Sequence, residues 1–390
     1  MRVTHIITRL IVGGAQENTI SSVLGLQHKP ELEVDLITGP TTGSEGSLES
    51  AFSTTPGTLH VTPHLVRAVH PLRDWLALRD LTALLRERRP DIVHTHSSKA
   101  GILGRLAAQR AGVPILIHTI HGPSFGAFQG AAANLLFTAA ERHAARCTTH
   151  FISVADAMTR QFLNAGIGRP EQFTRVFSGF PLQPFLAARN DPALRARLGL
   201  ESEDFVVGKI ARLFSLKGHD DLIDAAPALI RQCPHLKFLL VGGGPWKGRL
   251  QDRVRSLNLE RHFVFTGLVP PSEVPAHVGI MDALVHLSRR EGLPRALPQA
   301  LAAARPVVAF DCDGAGEVCI DGKTGFLVPA SDRKRLCAAL LLLATNPALR
   351  EQLGRQGQTF VKERFSVERM VDDLHDIYLT LARKHLRHSS

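Results

Sequence analysis

Glu291, Gly292, Leu293 and Pro294 lie within MDALVHLSRREGLPRALPQALAAARPVVAFDCDGAGEVCID, residues 281–321, a stretch that reads as strand, tight turn, helix, strand and loop. MDALVHLS is apolar and suits a buried strand, while Gly and Pro punctuate the chain before an Ala- and Leu-rich helix. The spacing predicts a helix start beside Gly292, Leu293 and Pro294, where unpaired N–H groups and the helix dipole favour an anion such as phosphate. A carboxylate at Glu291 on the rim would repel phosphate unless it faced donors, and sugar hydroxyls are such donors. The pairing points to a nucleotide sugar, although EGLP taken alone is also the sequence of an ordinary strand-to-helix turn. Arg212 and Lys217 lie in a second loop, closed by Gly218, and place two cations near another helix start. By themselves they read equally as solvated loop cations.

The remaining polar candidates hang on strands of the first half. RVTHIIT predicts a strand running into a helix opened by Gly13-Gly14, a turn that lets backbone approach a ligand. DIVHTH is a strand that delivers Ser97, Ser98 and Lys99 to a helix start, and PILIHTIHG is a strand ending at His118, His121 and Gly122. Ligands of open parallel sheets bind outside the carboxyl ends of the strands, so His94, His96, Lys99 and His121 crowd one edge. Alternation puts His94 and His96 on one face, but no Asp, Glu or Cys stands close in sequence to complete a metal site. Hydrogen-bonded core or cleft histidines are the better reading, and no metal or other cofactor is expected.

Length, composition and charge bound the class. A chain of 390 residues suits two domains, and 44% apolar with 21% charged residues is globular composition. No apolar run reaches a membrane span, and Met1–Thr8 followed by Arg9 does not read as a signal peptide. Five scattered cysteines fit a reducing cytoplasm. The formal charge of +10 suits a phosphorylated substrate or peripheral contact with an anionic membrane. Nucleic acid is disfavoured, since the basic residues are dispersed and one Tyr and two Trp offer little base stacking.

In chain order, these stretches resemble the family 4 glycosyltransferases. The family signature is Glu, seven residues, Glu, with Gly-Phe/Leu-Pro after the first; Glu291 matches the first, and the second falls on Gln299. Strand-Gly-Gly-Ala-Glu/Gln is matched at Gly13, Gly14 and Gln16, His-Gly at His121, and Ala-Arg-Leu with a later Lys-Gly at Arg212 and Lys217. Val-Gly-x-Gly-Pro is matched at Gly242, Gly244 and Pro245, followed by a strand ending at Gly267 and by the DGKTG turn. The resemblance implies an α/β chain of GT-B architecture, two doubly wound Rossmann-like domains facing across a cleft. Residues 1–182 would bind the acceptor and 183–365 the nucleotide sugar, with 366–390 a helix crossing back to the first. It implies retaining transfer from a nucleotide-diphosphate donor, UDP-sugar being the commonest, to a glycan, lipid-linked or small-molecule acceptor of cell-envelope type.

On this resemblance His121, Arg212, Lys217 and Glu291 would be catalytic; Gly13, Gly14, Gly244, Gly267, Gly292, Leu293 and Gln299 would bind donor. Gln16, Ser97 and Lys99 would bind acceptor, at a cytoplasmic site peripheral to the inner membrane surface. The Gln299 departure supports one alternative, a catalytically weak GT-B partner subunit that binds nucleotide or glycan. Three shorter motifs are refused. Asp311-Cys312-Asp313 reads as a loop acidic pair, Gly322-Lys323-Thr324 lacks the upstream glycine of a P-loop, and Gly242-Gly243-Gly244 lacks the last glycine of G-x-G-x-x-G.

Overall fold

The computed structural model describes residues 1–41, 46–126 and 128–386. Part of the polar loop between Gly39 and Pro56 thus lies outside the described residues. The chain divides into two compact units, residues 1–180 with 367–390 and residues 181–366.

The first unit is built on seven parallel strands: β1 (Arg2–Ile7), β2 (Glu33–Thr38), β3 (Leu59–Val61), β4 (Ile92–His96), β5 (Ile115–Ile120), β6 (His150–Ser153) and β7 (Phe173–Arg175). Their spatial order is β3-β2-β1-β4-β5-β6-β7, so the winding reverses between β1 and β4. The crossovers carry α1 (Gly14–Leu26), α2 (Pro71–Arg88), α3 (Ser98–Ala111), α4 (Ala131–Ala145) and α5 (Asp156–Asn164). Strands covered on both faces are rich in Val, Ile and Leu, and every residue of ILIHTI in β5 is buried, His118 and Thr119 included.

The second unit has six parallel strands: β8 (Phe205–Ile210), β9 (Leu236–Val241), β10 (Phe263–Gly267), β11 (Ala283–His286), β12 (Val307–Phe310) and β13 (Gly325–Val328). Their order, β10-β9-β8-β11-β12-β13, reverses between β8 and β11. Its helices are α6 (Gln183–Leu186), α7 (Pro192–Arg197), α8 (His219–Gln232), α9 (Lys247–Ser256), α10 (Val274–Gly279), α11 (Ala296–Ala302), α12 (Arg333–Thr345) and α13 (Pro347–Arg364). One apolar cluster of its core gathers Val207, Leu222, Phe238, Val285, Val308 and Leu340. Both units are doubly wound α/β, as the sequence implies.

The last helix, α14 (Val367–His385), belongs to the first unit. Its buried Met370, Val371, Leu374, Tyr378 and Leu381 recur at helical spacing and join a core cluster that also takes in α1 and strands β1, β2, β4, β5 and β6. Val371 packs where α1 has Gly25, and a Cβ there would collide with it. Inside the same unit Arg105 and Glu141 form a buried ion pair at 2.6 Å. Arg105 is further satisfied by donating to the Gly101 carbonyl at 2.7 Å and Thr148 at 3.1 Å.

Candidate active site

In a doubly wound sheet the crevice opens at the carboxyl ends of the strands where the winding reverses. In the second unit that point lies between β8 and β11. Arg212 and Lys217 follow β8, and Glu291 follows β11. Two glycines hold the loops together. Gly218, at φ 66°, caps α8, and a Cβ on it would be driven into the Leu287 carbonyl. Gly244, at φ 153°, presses the turn after β9 onto the Leu213 carbonyl, where a Cβ would lie 2.4 Å from the oxygen. Only glycine permits such backbone contact, and it fixes where Arg212 and Lys217 start.

Lys217 and Glu291 form an ion pair through Nζ and Oε1. The His286 Nε2 stands 3.4 Å from the same oxygen. Burial pushes the Glu291 carboxyl up, but His286 and Lys217 more than reverse this and hold it well below the ordinary carboxylate range. Glu291 is therefore an anion at neutral pH, with lone pairs for incoming donors. Its backbone N–H donates to Asp313 Oδ2 at 2.7 Å, and the Gly314 N–H donates to the Gly292 carbonyl at 3.1 Å. Asp313 of the D-x-D stretch thus clamps the Glu291 loop from the end of β12, a part that sequence alone did not assign to it.

The helix after EGLP begins later than expected. Gly292 and Leu293 are buried in a bend, and α11 starts at Ala296 with Arg295 as its cap. The Leu297 N–H is already taken by the Pro294 carbonyl at 3.2 Å, so Pro294 closes a turn before the helix. The dipole argument moves from Leu293 to Ala296, and Gln299, half-buried, sits within this seven-residue helix. Gly267 ends β10 at φ 75°, and its carbonyl accepts from the Gly242 N–H at 3.0 Å. Gly322-Lys323-Thr324 runs into β13, a strand, with the Thr324 hydroxyl donating to the Val318 carbonyl at 2.8 Å. That is turn chemistry and not a phosphate loop.

Buried beneath these loops are polar groups that the sequence reading passed over. His219 Nε2 donates to the Arg212 carbonyl at 3.0 Å, since a carbonyl can only accept. Lys209 on β8 is 1% exposed, and its Nζ has no hydrogen-bond partner among the described residues. Burial, with Lys217 adding to it, lowers the Lys209 amine to about 7. Alternation along FVVGKI and MDALVHLS would have placed Lys209 and His286 in the sheet; the approach of His286 to Glu291 is a matter of how the loop folds back over β11.

In the first unit the winding reverses between β1 and β4. Gly13 and Gly14 open α1 there, and Gln16 folds back so that a Cβ on Gly13 would meet its Oε1. Ser97 caps α3 at φ 62°, its hydroxyl 2.9 Å from Thr8 Oγ1. Lys99 ties α3 to α2 through Asp74 at 2.5 Å and the Ala68 carbonyl. His121 follows β5, and its Nε2 lies 3.1 Å from His96 Nδ1. His94 and His96 share a face, as alternation requires, with ring centroids 4.4 Å apart. The partner missing from the local sequence is His5, which the β1–β4 register sets opposite His94. Potential ligand atoms of His5, His94 and His96 all lie within 4.8 Å of one another. Both nitrogens of each ring are nevertheless already within hydrogen-bond range of other side chains, so the cluster is occupied with itself.

Two doubly wound units, with a cation and carboxylate paired at one switch point, define a GT-B glycosyltransferase. Residues 14–177 match the glycosyl transferase 4-like domain, residues 190–360 match glycosyl transferases group 1, and the chain belongs to this glycosyltransferase family. It is 26% identical over 388 residues to the Escherichia coli UDP-Gal:alpha-D-GlcNAc-diphosphoundecaprenol alpha-1,3-galactosyltransferase, covering 98% of this chain and 97% of that protein. It is 30% identical to the Bacillus subtilis glycosyltransferase EpsD over 314 residues, 77% of this chain and 79% of that one. Its fold matches Anabaena HepE in complex with UDP-glucose at TM-score 0.81, with 22% identity, covering 97% of this chain and 100% of that chain. Among the described residues no helix is long and apolar enough to cross a membrane.

Proposed function

We propose that the protein transfers a hexose, with retention, from a UDP-sugar to a glycan carried on a polyprenyl diphosphate. The observation that carries this reading is the Lys217–Glu291 pair beside Arg212 at the β8/β11 switch point. The Escherichia coli relative, similar along nearly the whole chain, supports the donor and acceptor class.

Bond breaking places charge on the leaving diphosphate. Lys217 has three N–H donors, so it can keep Glu291 and still meet phosphate, and Arg212 supplies a second cation. Glu291 orients hydroxyls of the donor sugar. Gly244 shapes the turn beside the nucleotide, Gly267 leaves room for it, Gly292 and Leu293 back the diphosphate, and Gln299 accepts from the ribose. In the first unit His121 faces the sugar, Gly13 and Gly14 line the diphosphate path, and Gln16, Ser97 and Lys99 serve the acceptor. The C1–O bond to phosphate breaks with its electron pair leaving on UDP. The acceptor oxygen bonds to C1 on the same face, and its proton passes to the leaving phosphate oxygen. Positive charge on the protein does the work asked of a metal in other transferases, so no divalent ion is required. A chain of net charge +10 is suited to visit an anionic inner-leaflet surface where such an acceptor resides.

The test is UDP release from a panel of UDP-sugars with a polyprenyl-diphosphate glycan, and anomeric assignment of the product. Transfer with the donor's anomeric configuration kept supports the reading; an inverted product overturns the retaining step.

A further inference from the structure

Three buried histidines of the first unit, His5, His94 and His96, form one continuous hydrogen-bonded chain with His121. Thr119 Oγ1 lies 2.6 Å from His94 Nε2, and His94 Nδ1 lies 2.5 Å from the Tyr378 hydroxyl. That hydroxyl lies 3.2 Å from His5 Nε2, and His5 Nδ1 lies 2.9 Å from His96 Nε2. His96 Nδ1 then lies 3.1 Å from His121 Nε2. The chain runs from Thr119 beside His94, crosses to α14 at Tyr378, returns to β1 at His5, and reaches His121 after β5.

Each link needs one proton and only one. Two N–H groups facing each other clash, and two lone pairs repel. Burial keeps His94 and His96 well below the usual imidazole range, lowers His5 to about 3, and raises the Tyr378 phenol. Each of these buried groups therefore carries a single titratable proton at neutral pH. Two arrangements satisfy every link and also use the Tyr378 proton within the chain. In one, protons run from Thr119 toward His121, and His94, His5, His96 and His121 all carry N–H at Nδ1. In the other they run back toward Thr119, and all four carry it at Nε2. Mixed tautomers either break a link or, with His94 at Nδ1 and the other three rings at Nε2, make the Tyr378 oxygen accept twice and leave its buried O–H without an acceptor in the chain, and a lost hydrogen bond is costly in such a site.

We propose that these four imidazoles share one tautomer, and that Tyr378, from the C-terminal helix, is the positioning residue that holds His121 in it. The chain makes the outward nitrogen of His121 a donor or an acceptor as a unit, because reversing it means moving the proton of every link together. Tyr378 is the one hydroxyl within the chain and can both give and take, so it joins the halves. This inference rests on the proposed function only for its kinetic consequence; the tautomer pattern stands apart from it.

The decisive experiment is nitrogen NMR of the full-length protein labelled with ¹⁵N-histidine, assigned by single His→Gln variants. Two-bond proton–nitrogen couplings report which ring nitrogen bears hydrogen. The expected result is one tautomer common to His5, His94, His96 and His121; a mixed pattern overturns the proposal. Tyr378→Phe keeps the ring but cuts the chain. It should give His121 a mixture of tautomers and lower kcat by about 10–100-fold, the usual cost of removing a partner that orients a histidine, with donor KM within about threefold. Should Tyr378→Phe fold poorly, the wild-type pattern still decides. Unchanged His121 tautomer and unchanged kcat in a folded Tyr378→Phe protein also overturn it. If no sugar nucleotide is turned over at all, the proposed function fails while the tautomer pattern remains measurable.

Discussion

Lys217 and Glu291, 74 residues apart in sequence, meet as an ion pair at the ends of neighbouring strands β8 and β11. The pair exists because the sheet reverses its winding between those strands, which opens a crevice and brings two loops to its rim. Each partner depends on the other. Glu291 is shielded by burial, and without Lys217 it retains His286 alone, whose own ring is pushed by burial toward the neutral form.

Lys217→Ala should lower kcat by about 10²–10³-fold, because one donor aimed at transition-state charge is typically worth that much. Glu291→Gln should reduce kcat less and weaken discrimination among donor sugars. Steady-state kinetics with two UDP-hexoses checks both. A Lys217→Ala protein with kcat within about threefold of wild type and only a raised KM would assign Lys217 to uniform ground-state binding.

Gln299 stands where the family carries its second acidic residue. A carboxylate accepting from ribose hydroxyls binds more strongly than an amide, by about 1 kcal/mol or so. Gln299→Glu should therefore tighten UDP binding about fivefold with little change in kcat. Calorimetric titration and initial rates test this. A wild-type protein inert until Gln299→Glu is made would favour a catalytically weak partner subunit instead.

Much of this site was legible because each piece is local. Apolar runs ending in Gly or Pro gave the strands, and Arg212, Lys217 and Glu291 stood out in their loops. What escaped was whatever depended on strand order. His5 meets His94 only through the β1–β4 register, and Tyr378 reaches both from α14 near the far end of the chain. Asp313 looked like half of a loop acidic pair until its Oδ2 was found holding the Glu291 N–H. The helix starts at Ala296 and not beside Leu293 because Pro294 closes a turn first, a competition that composition does not reveal.

Lys209 predicts a pH signature. In the unfolded chain its amine titrates near its ordinary 10.5, and in the fold near 7. Below about 7 it is charged in both states and the burial penalty is complete. As pH rises from about 7 to 10.5 the folded protein sheds the proton first, so this penalty fades and stability rises. Lys209→Met should stabilise more at pH 6 than at pH 9, by on the order of 2 kcal/mol. Denaturant melts at the two pH values measure it, and an equal effect at both would contradict a depressed amine.

Glu141→Gln leaves the Arg105 guanidinium buried without its counter-charge. Breaking a buried pair on one side typically costs about 3–5 kcal/mol, so urea melts should show a loss of that size. Arg105→Met with Glu141→Leu should recover most of it, since an apolar replacement for both carries no orphaned charge.

Turnover should persist after exhaustive chelation, because the proposed function has Arg212 and Lys217 meet the diphosphate. Activity lost to chelator and restored by magnesium or manganese would return Asp311 and Asp313 to consideration as metal ligands.

The most direct measurement incubates the purified full-length protein with a UDP-hexose and a polyprenyl-diphosphate glycan, and follows UDP and glycolipid together. The proposed function predicts one UDP released per acceptor lengthened by one hexose, with Lys217→Ala and Glu291→Gln both impaired. Tight UDP-sugar binding with no lengthened acceptor, across hexose donors and glycan acceptors alike, would contradict it.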